Sequence, residues 1–121
     1  MAPSQPIAVI LVALGGFFGS ITRYGVALIA PGLGGTFVVN VTGSLLLGYI
    51  YYMTATTSKI SARTRLLVAT GFLSSYTTYS MFAFETLDAS FAWGLLNVLG
   101  SYVCGFAAAV FGRSIALRGT R

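Results

Sequence analysis

The chain alternates four apolar stretches with short polar joints. No formally charged side chain falls in 1–22, 24–58, 66–84 or 89–112, and each run is at least 19 residues long. About 20 helical residues, rising 1.5 Å each, cross a hydrocarbon core of about 30 Å. The pattern predicts an all-α membrane protein with spans near 7–29, 35–56, 64–85 and 90–113, in a single transmembrane domain covering 1–121. Pro6 and Pro31 bracket the first span, and Pro31-Gly32 with Gly34-Gly35 predicts a tight turn. Lys59 to Arg65 predicts a basic loop, Glu85 to Asp88 a short acidic turn, and the residues after Gly112 a frayed basic tail.

Polar and small positions recur inside the spans at helical spacing. Thr36, Asn40, Ser44 and Gly48 follow one another at i+4 and so share one helix face. Asn97, Ser101, Gly105 and Ala109 make a second such stripe, widened by Gly100 and Cys104, while Gly15, Gly16, Gly19 and Ser20 lead up to Arg23. Small residues let membrane helices approach closely, which is the reading for the glycines, the alanine and the lone Cys104. A carboxamide at mid-membrane is costly to keep for packing alone, so Asn40 is read as part of a polar path.

The third run is unusual. Ser74, Ser75, Thr77, Thr78 and Ser80 crowd together among Tyr76, Tyr79 and Phe82. Hydroxyls compete for backbone hydrogen bonds and weaken helices, so the sequence predicts a helix broken mid-span. Broken membrane helices are tolerated where the freed backbone lines a cavity or meets an ion. The alternative is an unbroken helix whose hydroxyls bond back to the i−4 carbonyls.

Composition narrows the chemistry. Of 121 residues, 7% are charged and 56% hydrophobic, with no histidine and one cysteine; the mean hydropathy is +0.86. These values exclude an ordinary soluble enzyme, a disordered chain, a disulfide scaffold and a zinc-type site. The first apolar run is too long, and lacks the basic start, for a secretory signal. The net charge of +5 comes from basic residues scattered at span borders, which read as topology signals and phospholipid contacts and not as a nucleic-acid surface. Without histidine, an embedded acid pair or an activated nucleophile, no enzyme is expected. No acid lies deep in a span, whereas hydroxyls, amides and electropositive ring edges do and Arg23 lies close to a span's interior, and such a set suits an anion. Four short helices hardly enclose a path alone, so an oligomer is expected.

Three stretches in order carry a resemblance. They are Gly15-Gly16-Phe17-Phe18-Gly19-Ser20-Ile21-Thr22-Arg23-Tyr24; Gly35-Thr36-Phe37-Val38-Val39-Asn40-Val41-Thr42-Gly43-Ser44 through Gly48; and Gly71-Phe72 through Thr77-Thr78-Tyr79-Ser80-Met81-Phe82, then Glu85. Together they resemble the CrcB/Fluc fluoride channel family over about the whole chain. The resemblance implies an antiparallel dimer of four-helix subunits in the cell membrane. It would carry fluoride passively out of the cytoplasm and lower its toxicity. The family's pore asparagine matches Asn40, its pore-lining threonine Thr36, and its two facing phenylalanines fall on Tyr79 and Phe82. Its polar track falls on Ser80 and Ser101, and its arginine near the mouth on Arg23. A structural sodium ion at the dimer centre would be held by main-chain carbonyls of Ser74 and Thr77. The chain departs from the pattern in three places: Ser74-Ser75 stands where the family usually has Gly-Gly, Tyr79 replaces a phenylalanine, and Met81 replaces a track threonine. Two other readings stand beside this one. A small multidrug-type cation exporter has the same size but would need a glutamate in its first span, and a non-conducting subunit of a heterodimer would need no polar stripes.

Charge also predicts orientation. Lys59, Arg63, Arg65, Arg113, Arg118 and Arg121 fall on the side of the amino terminus, and Arg23 falls alone on the other. Lys and Arg in short loops set topology, so both termini are expected in the cytoplasm. The bias suits a chain of fixed orientation whose mate is an oppositely oriented paralogue; a second copy is the alternative. Labelling of Ala2→Cys in intact cells is expected to occur from the inside only. Comparable labelling from both sides would overturn the fixed orientation.

Overall fold

The structure, a computed structural model, describes residues 3–57 and 59–119. Every regular element among them is helical. Helices α1 (Gln5–Ile29) and α2 (Leu33–Thr56) are joined by a short turn, then come α3 (Ala62–Arg65), a π-helix (Leu66–Leu73), α4 (Ser74–Tyr76), α5 (Tyr79–Asp88) and α6 (Phe91–Arg118). Among the described residues three helices, α1, α2 and α6, are each long and apolar enough to cross a membrane. The run over 64–85, for which a helix broken mid-span is expected, is interrupted. It is helical from Ala62 to Tyr76, extended at Thr77 and Thr78, and helical again from Tyr79.

Local signals explain the ends. Pro6 lies in the first turn of α1, where its missing N–H costs nothing. The turn to α2 runs through Ala30 to Gly32, and Gly32 has φ 74°, a conformation that strains any residue with a Cβ. Gly34 and Gly35, expected in that turn, belong to the first turn of α2. Ser61 caps α3 by accepting the Thr64 N–H, and Thr78 caps α5 by accepting the Met81 N–H.

Two further expectations are corrected. Glu85 to Asp88 is the last turn of α5 and not a loop; the joint to α6 is Ala89-Ser90. The basic tail does not fray after Gly112, because α6 continues to Arg118. Packing holds it: Gly112 lies against the Leu45 and Tyr49 backbone and Ala116 is fully buried. The Arg113 guanidinium sits over the Tyr52 ring, 5.7 Å from its centre.

The helices pair out of sequence order. α2 packs most extensively on α6, and α1 on the π-helix. Backbone contact is close in both pairs. A Cβ on Gly48 would overlap the Ala109 carbonyl and one on Gly112 the Leu45 carbonyl, while one on Gly15 would overlap the Leu67 carbonyl. A small core of Val39, Leu73 and Tyr76, flanked by Val26, Ile50 and Phe72, ties α2 to the helix before the extended threonines. Most other large apolar side chains point outward, as bilayer-facing surfaces require; Ile29, Leu87 and Phe91 are all more than four-fifths exposed.

Candidate functional site

The extended pair Thr77-Thr78 is held in place by Asn40. The Thr78 N–H donates to Asn40 Oδ1 at 2.8 Å, and Asn40 Nδ2 donates to the Thr78 carbonyl at 2.9 Å. The carboxamide thus pairs with one residue's main chain as a neighbouring strand would, satisfying two groups that leave the helical ladder. In a continuous helix the Thr78 N–H would reach back to Ser74; here it is diverted to Asn40, so the Ser74 carbonyl loses that donor. Thr77 still back-bonds its hydroxyl to the Leu73 carbonyl at 2.9 Å. α5 then starts at Tyr79 beside Asn40 and presents the positive end of its helix dipole to the same place.

Around this junction lies an open groove of about 600 Å³. The i+4 stripe of α2 contributes Asn40, Ser44 and Gly48, and α6 contributes Ser101 and Gly105 across from it. Thr77, Thr78, Tyr79 and Phe82 close one end, and Ser74 lies along the wall. Of the residues singled out in the sequence, Asn40, Tyr79, Phe82, Ser101, Ser74 and Thr77 therefore come together. Thr36 does not line the groove; it is buried near the start of α2. Arg23 is half-buried on α1, away from the groove. Ser80 is exposed, its hydroxyl 3.3 Å from that of Thr78.

An aromatic row borders the groove. The Tyr79 and Phe82 rings are 5.7 Å apart and tilted, Phe82 meets Tyr102 edge-on at 6.1 Å, and Tyr102 is followed by Phe106 at 6.3 Å. Phe82 is buried, while Tyr79, Tyr102 and Phe106 are exposed, so the row is open on one side. Tyr102 and Phe106 were not singled out in the sequence, although their spacing on α6 puts them one turn apart. Behind the row, Ser101 donates to Asn97 Oδ1 at 3.3 Å, Asn97 donates to the Thr86 hydroxyl at 2.8 Å, and Thr86 donates to the Phe82 carbonyl at 2.6 Å. That chain fixes α5 against α6 and so sets the pitch of the Phe82 ring. Thr86 gave no signal in the sequence, since a lone threonine in a helix is unremarkable until its partner is known. One carboxylate oxygen, Glu85 Oε2, is buried without a hydrogen-bond partner among the described residues. Such an atom is costly unless water or an associating surface supplies a donor.

Chemically the groove offers N–H and O–H donors, a helix amino end and ring edges, and no carboxylate lines it. The second Asn40 Nδ2 hydrogen is not used by Thr78, since a carboxamide carries two donors. Residues 10–113 match the family model described as CrcB-like protein, Camphor Resistance (CrcB). The chain belongs to the CrcB family. Among CrcB-family relatives, the fluoride-specific ion channel FluC 1 of Natronomonas pharaonis is 50% identical over 113 residues, covering 92% of this chain and 95% of that protein. The fluoride-specific ion channel FluC 1 of Haloarcula marismortui is 45% identical over 119 residues, covering 95% and 93%. The protein of the same name from Methanospirillum hungatei is 37% identical over 111 residues, covering 92% and 79%. With its apolar helices and this family membership, the chain is a multi-pass membrane protein.

Proposed function

We propose that the chain is a subunit of a passive fluoride channel that lets fluoride leave the cytoplasm down its gradient. The observation that carries the reading is the Asn40–Thr78 pairing, which seats a free amide donor, a helix amino end and the Phe82 ring around one groove without a carboxylate. A desolvated small anion needs such donors in place of its water. The names of the relatives support fluoride as that anion.

In this reading the helical pieces between Ala62 and Asp88 together make a fourth crossing, broken at Thr77-Thr78. The exposed Tyr79, Tyr102 and Phe106 rings are covered by an antiparallel mate, a second copy or an oppositely oriented paralogue. Asn40, Tyr79, Phe82 and Ser101 line the path, Ser80 and Thr36 flank it, and Arg23 draws the anion from the bulk. Liposomes holding the reconstituted chain are expected to release fluoride, and to retain chloride and a dye-like cation. Release of the cation, with fluoride retained, would favour an exporter and overturn the proposal.

A structural sodium ion belongs to the same proposal. Its donors would be main-chain oxygens of Ser74 and Thr77. The local structure suits them: the Thr78 N–H is diverted from the Ser74 carbonyl, and the Met81 N–H that would reach the Thr77 carbonyl goes to the Thr78 hydroxyl. Carbonyl oxygens freed at a helix end are hard ligands that suit a hard cation. When bound, the ion would neutralise these dipole ends at the dimer centre. Because it is not transported, the reversal potential of fluoride current is expected to stay fixed when the sodium gradient is changed. A shift with that gradient would refute a structural role.

Phe82 gives a sharper test of the path. Phe82→Ile keeps most of the apolar volume and removes the ring edge. Ring-edge contacts contribute about 0.5–1.5 kcal/mol, so fluoride efflux is expected to fall by up to about tenfold. The fold should tolerate the change. Unaltered efflux at equal reconstitution would remove Phe82 from the path.

A further inference from the structure

π-helical geometry is rare and mostly confined to single turns, often at functional sites. Here it runs for 8 residues, Leu66–Leu73. Its effect on side-chain direction is large. Arg65 and Ser74 are nine positions apart, which is about 2.5 turns of an α-helix, so an α-helix would place them on opposite faces. A π-helix bonds i→i+5 and so winds more residues into each turn, which swings the two back toward one face. Arg65, Thr70 and Ser74 therefore come to one face, and all three are exposed.

That face lines a second cavity of about 490 Å³, against Leu47 and Tyr51 of α2. The cavity adjoins the groove: Leu47, Tyr51, Ala69 and Ser74 line both. Arg65 lines this cavity but not the groove, and it pairs with no carboxylate among the described residues; the chain's acids, Glu85 and Asp88, both lie in α5. The Ser74 hydroxyl is held by a single long contact, 3.4 Å to the Ala69 carbonyl, so it is free to turn toward a ligand. Arg63, by contrast, is exposed on α3 outside the cavity.

We infer that the π-helix builds a cationic vestibule in which Arg65 gathers hydrated fluoride and Thr70 and Ser74 hand it on to the Asn40–Thr78 junction. The inference rests on the fluoride-channel reading and assigns to Arg65 a task that its charge in α3, where a basic loop was expected, does not require. A topology signal needs only a charge in the loop; a vestibule needs it on this face. An unpaired cation at the mouth of a cleft raises the local concentration of anions. The effect reaches over about 30 Å at 0.01 M ionic strength and about 3 Å at 1 M.

The experiment is fluoride efflux from liposomes, read with a fluoride electrode, for the wild-type chain, Arg65→Gln, Arg65→Lys and Arg63→Gln. At low ionic strength Arg65→Gln is expected to slow efflux about three- to tenfold. The deficit should shrink to less than about twofold at 1 M salt, where screening is strong. Arg65→Lys keeps the charge and is expected to stay near wild type. Arg63→Gln removes the same charge from the same short helix and should also stay near wild type, which controls for any effect on orientation. A deficit that persists unchanged at high salt, or one shared by Arg63→Gln, would overturn the vestibule. So would an Arg65→Gln protein equal to wild type at low ionic strength, with the channel reading left standing. A wild-type chain that releases no fluoride would sink the channel reading, and the vestibule with it.

Discussion

Asn40→Leu is expected to lower fluoride efflux about 100-fold or more. Two losses combine. A hydrogen bond to a charged group contributes about 1.5–3 kcal/mol, and each 1.4 kcal/mol is a tenfold change in rate. The substitution also leaves the Thr78 N–H and carbonyl without the partners seen at 2.8 and 2.9 Å. Buried main-chain groups left unpaired cost about 1–3 kcal/mol each, so a moderate drop in thermal stability should accompany the loss of flux. Asn40→Asp keeps an acceptor for the Thr78 N–H while removing the donor and adding a repelling charge. It is expected to be blocked like Asn40→Leu and to lose stability as well, because one carboxylate oxygen then faces the Thr78 carbonyl and an unpaired charge is costly in hydrocarbon. Normal flux in either variant, at equal reconstitution, would remove Asn40 from the path.

The largest effect on stability is expected from Gly112→Val. Any Cβ at this position overlaps the Leu45 carbonyl, and the Tyr49 nitrogen is only 3.0 Å away, so α2 and α6 would have to separate. Overpacking of a tight contact costs about 1–3 kcal/mol, and more where backbone must move. Gly25→Val is the matched comparison, since a Cβ there meets nothing within 4 Å. Thermal unfolding in detergent is expected to fall sharply for Gly112→Val and to change little for Gly25→Val. Equal unfolding of the two variants would show that the α2–α6 contact does not limit stability.

The sequence reading succeeded where the signal was local. Charge-free runs marked α1, α2 and α6 because no soluble helix of that length avoids charge. The i+4 stripe on α2 marked Asn40, Ser44 and Gly48 as one face, and the three do share the groove. It failed where the cause lies elsewhere in the chain. The hydroxyl cluster pointed to Ser74–Thr77, yet the extended residues are Thr77 and Thr78, because Asn40 claims the Thr78 main chain from 38 positions away. Basic residues after Gly112 read as a solvated tail, but the buried Ala116 and the Tyr52 ring under Arg113 hold the helix together. The π-helix had no sequence signal at all, since no residue type favours that geometry by itself.

The out-of-order pairing of the helices has a consequence for biosynthesis. The Ala30–Gly32 turn delivers α1 and α2 to the bilayer as neighbours, yet each finds its main partner in a segment translated later. Until residues 62–118 are made, α1 and α2 lack the segments they pack on most, and the Asn40 carboxamide has no Thr78 to meet. Hydropathy must therefore carry the insertion of α1 and α2, and assembly waits for the last helix to be released. A nascent chain halted after Thr57 would hold the Asn40 carboxamide among apolar neighbours without its main-chain partners, a cost in hydrocarbon that only the later segment removes.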